Sequence, residues 1–184
     1  MPQYDFEALK NHLIYVMKET QMKIGYTDNA SSVNYPPASL CRLLGTQMDK
    51  DELEQALAEF SAYVRPALGE LKISEYDGQC CLTVPAQGVR YVHEQVADSD
   101  FLGELIALIR SPQKVEIEDV IAVFRKYSGK VVVEEEDNEE YNYVLYFEDG
   151  QPDDFVYLVE ACFGHVSYHR MTKADYQAEI VGNE

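Results

Sequence analysis

His165 and His169 stand four residues apart in HVSYH, with Ser167 between them. Side chains alternate along a strand, so a strand here puts all three on one face. Glu160 and Cys162 lie on the preceding predicted strand and can point to the same side. Two imidazoles, a thiolate and a carboxylate are donors that zinc accepts. The same four residues, Glu160, Cys162, His165 and His169, also read as an ordinary polar sheet face, and that reading is preferred. Cys80 and Cys81 are neighbours on one predicted strand, so their thiols face opposite ways and do not form a redox pair. The run Glu134–Glu140, EEEDNEE, offers hard oxygen ligands. It lacks the spaced pattern and distal glutamate of a calcium loop, and reads as a solvated connection between strands.

Three familiar chemistries leave no motif in the chain, and whether it is an enzyme stays open, with the balance toward no. There is no nucleophile-elbow G-x-S-x-G, no glycine-rich phosphate loop and no dinucleotide fingerprint. No catalytic residue is assigned, and no cofactor is expected. Tyrosine is the more informative residue type: there are fourteen, and no tryptophan. Tyr141, Tyr143, Tyr146, Tyr157 and Tyr168 fall on adjacent predicted strands. Tyrosine combines large contact area with a polar tip and is enriched at interfaces. Tyr141, Tyr143, Tyr157 and Tyr168 are therefore candidates for contact with a protein partner or a second copy. Cross-strand packing is the plainer reading and is preferred.

Charge narrows the partners. The chain holds 33 acidic and 15 basic side chains, a formal net charge of −18, and 20 of the acidic ones fall after residue 95. Such a field repels nucleic acid and anionic membrane surfaces, and attracts basic partners. It also keeps a protein soluble whatever its partners. No apolar run approaches the roughly 20 residues of a membrane span, and the N-terminus lacks the order of a signal peptide. A cytoplasmic location is expected. Cys41, Cys80, Cys81 and Cys162 form no regular framework, so reduced thiols are expected.

The elements that must position these residues follow from periodicity. Phe6, Leu9, Leu13, Val16, Met17 and Ile24 recur at helical spacing and predict a helix over 5–25, ended by Gly25. A short strand is expected at 33–35, then a helix over 38–44 after Pro36-Pro37. A third helix is expected from Asp49 or Asp51 to around 66–69, with Leu53, Leu57, Phe60 and Val64 inward. Alternation in Leu71–Ile73 and Cys80–Val84 predicts two strands turning at Asp77-Gly78, a strong two-residue hairpin signal. Helical spacing resumes over 88–96. Beyond a boundary near Asp98, helices are expected over 99–110 and 117–127. Strands are expected over 131–135, 141–148, 155–162 and 165–171, followed by a short helix over 173–180. Tyr141, Tyr143, Leu145 and Phe147 alternate onto one predicted face.

The fold class read from this order is α+β: a helical first half, then two helices and a three- to four-stranded antiparallel sheet. The expected domains are 1–97 and 98–184, which can also pack as one unit. The first half, through the helix–strand–helix–helix–hairpin–helix order and the exit LTVPAQGVRYV, resembles winged-helix domains. The stretch KETQMKIGYTDNASSVNYPPASLCRLLG, residues 18–45, resembles a family of uncharacterised proteins from gut Firmicutes. That second resemblance implies no activity.

In a DNA-reading winged helix the third helix meets the major groove. Here its outward positions are Asp51, Glu52, Gln55 and Glu59, with Lys50 and Arg65 near the two ends, and the wing tip offers Glu75 and Asp77. Carboxylates do not neutralise phosphates. The function expected is an acidic interaction or regulatory module that recognises a protein, itself basic or a second copy, and not nucleic acid. Its alternatives are a winged-helix DNA-binding regulator and a metal-binding protein or enzyme using the C-terminal sheet.

Overall fold

Two helices of 19 residues each, α1 (Phe6–Ile24) and α3 (Lys50–Leu68), form because their apolar residues recur on one stripe and their ends are capped. Asp5 accepts a hydrogen bond from the Ala8 amide at the start of α1. At α3 the Asp49 carboxylate accepts from the Glu52 amide, 2.9 Å, and the Glu52 carboxylate accepts in return from the Asp49 amide, 3.0 Å. The chain is described by a computed structural model over residues 4–183. It is mixed α+β and divides into two compact units, the first ending at Asp98 and the second beginning at Ser99.

In the first unit the order continues through β1 (Ser31–Tyr35), α2 (Pro37–Leu43), α3, β2 (Lys72–Tyr76), β3 (Gln79–Val84) and α4 (Ala86–Gln95). β1 starts two residues earlier than its sequence suggested. The three strands form one antiparallel sheet in the order β1-β3-β2. Leu82 lies opposite both Val33 and Ile73. Asp77 and Gly78 both adopt positive φ, 50° and 72°, the turn geometry that matches the twist of a tight hairpin. Leu9, Leu13, Leu40, Leu57, Phe60 and Leu82 are buried in one core between the helices and the sheet.

The second unit places α5 (Asp100–Ile109) and α6 (Ile117–Tyr127) ahead of a four-stranded meander. Its strands are β4 (Val131–Glu135), β5 (Tyr143–Phe147), β6 (Phe155–Cys162) and β7 (His165–Thr172), in sheet order β4-β5-β6-β7. Every pairing is antiparallel. One face packs on α5 and α6 through an aromatic cluster, with Phe101 set edge-on to Phe124 and Phe147 at 4.9 Å between ring centres. The opposite face carries a second small core, in which Val144, Val156 and Leu158 pack with Tyr176 of α7 (Lys173–Glu179).

The expectation that Tyr141 would share a face with Tyr143 does not hold. β5 starts at Tyr143 because the Asn142 side chain takes over the pairing with β6. Its amide nitrogen donates to the Ala161 carbonyl, 3.0 Å, and its amide oxygen accepts from the Ala161 N–H, 2.9 Å. Alternation stops there, and Tyr141 packs in the cluster of Val144 and Tyr176 instead.

Gly88 in α4 sets the closest backbone approach of the first unit. A Cβ there would lie 2.6 Å from the Val84 side chain and closer still to the Leu68 carbonyl. Gly129, by contrast, has open space around it. Gly88→Ala should lower stability by about 1–3 kcal/mol in urea unfolding, the scale of forced overpacking. Gly129→Ala should stay within about 0.5 kcal/mol of the parent.

Candidate functional site

The polar face of the second unit lies at the far end of the small core. Cys162 is paired with His165, Glu160 with Ser167 and Leu158 with His169, so these side chains share one sheet face. The structure thus brings Glu160, Cys162, His165 and His169 to one side, and all four are exposed. Ser167 donates to the Glu160 carboxylate at 3.3 Å. Among the described residues no group of three or more His, Cys, Asp or Glu is close enough to hold a metal ion. The four residues form a solvated strip along two strands.

The tyrosines divide between the two sheet faces. Tyr143, Tyr157 and Tyr168 belong to the face under α5 and α6, and Tyr141 and Tyr146 to the face under α7. They do not make one surface. Tyr157 is 0% exposed, so it has nothing to offer a partner. Its hydroxyl donates to the buried Asp153 carboxylate at 2.5 Å. The Arg170 Nη1 lies 3.6 Å from the same carboxylate, and its guanidinium stacks 4.3 Å from the Phe155 ring centre. Burial, and then the Asp153 charge, push the Tyr157 hydroxyl well above the usual tyrosine range. Residues 153 and 157 are four apart, but no spacing in the sequence links them to residue 170. Sheet pairing sets Arg170 opposite Tyr157, and the loop before β6 brings Asp153 to both.

A concavity of the first unit lies where α3 and the β2–β3 hairpin diverge. It is a groove of about 550 Å³. Its floor is apolar, with Met48, Leu53, Ala58 and Ile73 contributing along with Pro37 and Cys80. Asp49, Glu54 and Glu75 stand on its lining together with one cation, Lys50. That cation is bound across the groove mouth, its Nζ 2.6 Å from the Glu75 carboxylate, which raises the lysine pKa. The Cys80 thiol is half-buried and pushed up, first by burial and then by the Glu75 charge. Sequence reading passed over this groove. Its only local signals are the small Ala58 on an otherwise polar helix face and the exposed Pro37.

At the α3 N-terminus beside the groove, the Asp49 and Glu52 amides are already taken by carboxylates of the capping box. Helix N-termini attract phosphate through unpaired N–H groups. Here the Asp49–Glu52 capping box already supplies two carboxylates at that position. Arg65, at the other end of the helix, lies 3.2 Å from the Glu70 carboxylate.

A family model described as "Domain of unknown function, E. rectale Gene description (DUF3877)" matches residues 6–180. The chain belongs to that family. The DUF3877 match spans both units, and so supports the resemblance carried by residues 18–45. No curated protein and no solved structure matches the chain. The family supplies no activity, so what this DUF3877 member does rests on its own side chains.

The buried Tyr157 gives a test of the core under α5 and α6. A tyrosine whose folded pKa lies above the unfolded value of about 10 favours folding below that pH and loses the contribution as pH rises past it. A tyrosinate absorbance titration, followed alongside a folding signal, checks this. Tyr157 should ionise only as its unit unfolds. Tyr157→Phe leaves the buried Asp153 with one donor fewer, and should cost about 1–3 kcal/mol in denaturant unfolding.

Proposed function

We propose that this chain is a protein-interaction or regulatory module whose first unit is a winged-helix-like scaffold turned away from nucleic acid. The element order α1-β1-α2-α3-β2-β3-α4 and the sheet order β1-β3-β2 support the scaffold reading. On that reading α3 stands as the recognition helix and β2–β3 as the wing. We also take the two units as two domains dividing near residue 98, and the free thiols Cys41, Cys80, Cys81 and Cys162 as suited to a reducing, cytoplasmic setting.

One observation carries the functional reading. The cleft between helix and wing is an apolar groove with carboxylates on its lining, and its one cation, Lys50, is bound to Glu75. Binding to DNA at physiological salt depends on several lysine or arginine contacts to phosphate. This face presents Asp51, Glu54 and Glu59 with the wing-tip residues Glu75 and Asp77 instead, all exposed. An apolar floor gains by covering it with apolar side chains, which a protein supplies and a phosphate backbone does not.

The nucleic-acid alternative is tested directly. A labelled duplex pool titrated with the full chain at about 0.15 M salt should show no saturable anisotropy change across the roughly 10⁻⁶–10⁻⁴ M range of non-specific DNA binding. A shift there that weakens steeply with added salt would overturn the proposal. Affinity capture from cell lysate at the same salt should recover the same protein with and without nuclease treatment.

A further inference from the structure

We infer that the groove between α3 and the β2–β3 hairpin binds a short segment of a partner protein, built as an apolar anchor flanked by lysine or arginine. The inference deepens the interaction-module reading and rests on it.

Three features of the groove select this occupant. The first is its size, about 550 Å³, within the roughly 300–1,000 Å³ of sites that enclose a compact ligand. The second is the floor. Ile73 and Cys80 are half-buried on the hairpin side, Met48 is half-buried at the helix start, and Ala58 is exposed on the third turn of α3. Ala58 has only a methyl group to offer the groove, so an incoming Leu, Met or Phe gains apolar cover there.

The third is charge. Asp49 and Glu54 stand on the helix side and Glu75 on the hairpin side, so a cation on either flank of the anchor meets a carboxylate. Lys50 is the only opposing charge on the lining, and Glu75 already engages it. A second copy of the chain is the wrong occupant on the same ground. With a net charge of −18, each copy repels the other.

The test is selection of random displayed peptides on the full-length chain, followed by anisotropy with the most enriched peptide after synthesis. The expected peptides carry one or two large apolar residues with Lys or Arg on each side. Ala58→Trp fills the groove from an exposed helix position, leaves circular dichroism unchanged, and should weaken the peptide on the order of tenfold or more, about 1.4 kcal/mol per factor of ten. The double variant Glu54→Gln/Glu75→Gln should weaken it about two- to fivefold, the scale of screened surface pairs, and flatten its salt dependence. In a Cys162→Ser background the peptide should also slow alkylation of Cys80.

The assignment is overturned if no peptide is enriched, if the enriched peptides lack basic residues, or if Ala58→Trp leaves their binding intact. A dimer that dissolves on Ala58→Trp would also overturn it, by making a second copy the occupant. Failure of the underlying interaction reading shows separately, as saturable duplex binding in the nucleic-acid titration. Loss of the peptide results without duplex binding removes the groove assignment alone.

Discussion

The register of β3 governs the first unit. Leu82 and Val84 are fully buried, while β3 is paired on both sides, to β1 and to β2. A slip of one residue would turn both side chains outward and bring Cys81 and Thr83 into the core. The Asp77-Gly78 turn helps prevent this, because its two positive φ angles fix which residues of β2 and β3 face each other. The same register sets the groove. Cys80, Leu82 and Val84 share one face of β3, and Glu75 and Ile73 lie opposite Cys80 and Leu82. The strand face that packs into the core at Leu82 continues outward, past the start of α3, as Cys80 and Glu75. The groove is the open end of the core, bordered by the first residues of the helix.

In the second unit helices cover one face of the sheet and part of the other, and this decides what its side chains can do. The α5–α6 face is aromatic, with Phe101 and Phe124 in ring contact with each other and each with Phe147 and Tyr157. Asp153 and Arg170 sit at its margin with low side-chain exposure. Charges there require several partners to offset lost hydration. The Tyr157 hydroxyl, the Phe155 amide at 3.1 Å and Arg170 supply them to Asp153. The arrangement ties the start of β6 to β7. It is a structural device, and it withdraws one tyrosine from any surface role.

Much of the fold was legible because its signals are local. The apolar stripes of α1 and α3, the glycine turn at 77–78 and the alternation in β6 each depend on residues a few positions apart. Element ends were less legible. α4 begins at Ala86 because Pro85 stands at the N-cap, two residues before its apolar spacing becomes regular. Tyr141 was misplaced because an Asn142 side chain replaces a backbone pair with a residue 19 positions away. The cover supplied by α7 was not legible either, since a short helix with one buried tyrosine has no stripe to announce it. Of the candidate sites, the strand face of His165 and His169 could be read from spacing. The groove could not, because its lining comes from the α2 start, the α3 start and both hairpin strands.

The outer strand β4 has a consequence of another kind. It reads VVVEE and runs directly into the rest of the acidic stretch that ends at Glu140. As the first strand of the sheet order it leaves one row of backbone groups without a strand neighbour. Three consecutive valines on such an edge are a template on which another chain could add itself, the first step toward fibrous association. The glutamates that follow place like charges against any identical strand approaching in register. The acidity of this half therefore sets the molecule against pairing with its own copies, separately from the binding proposed for the first half.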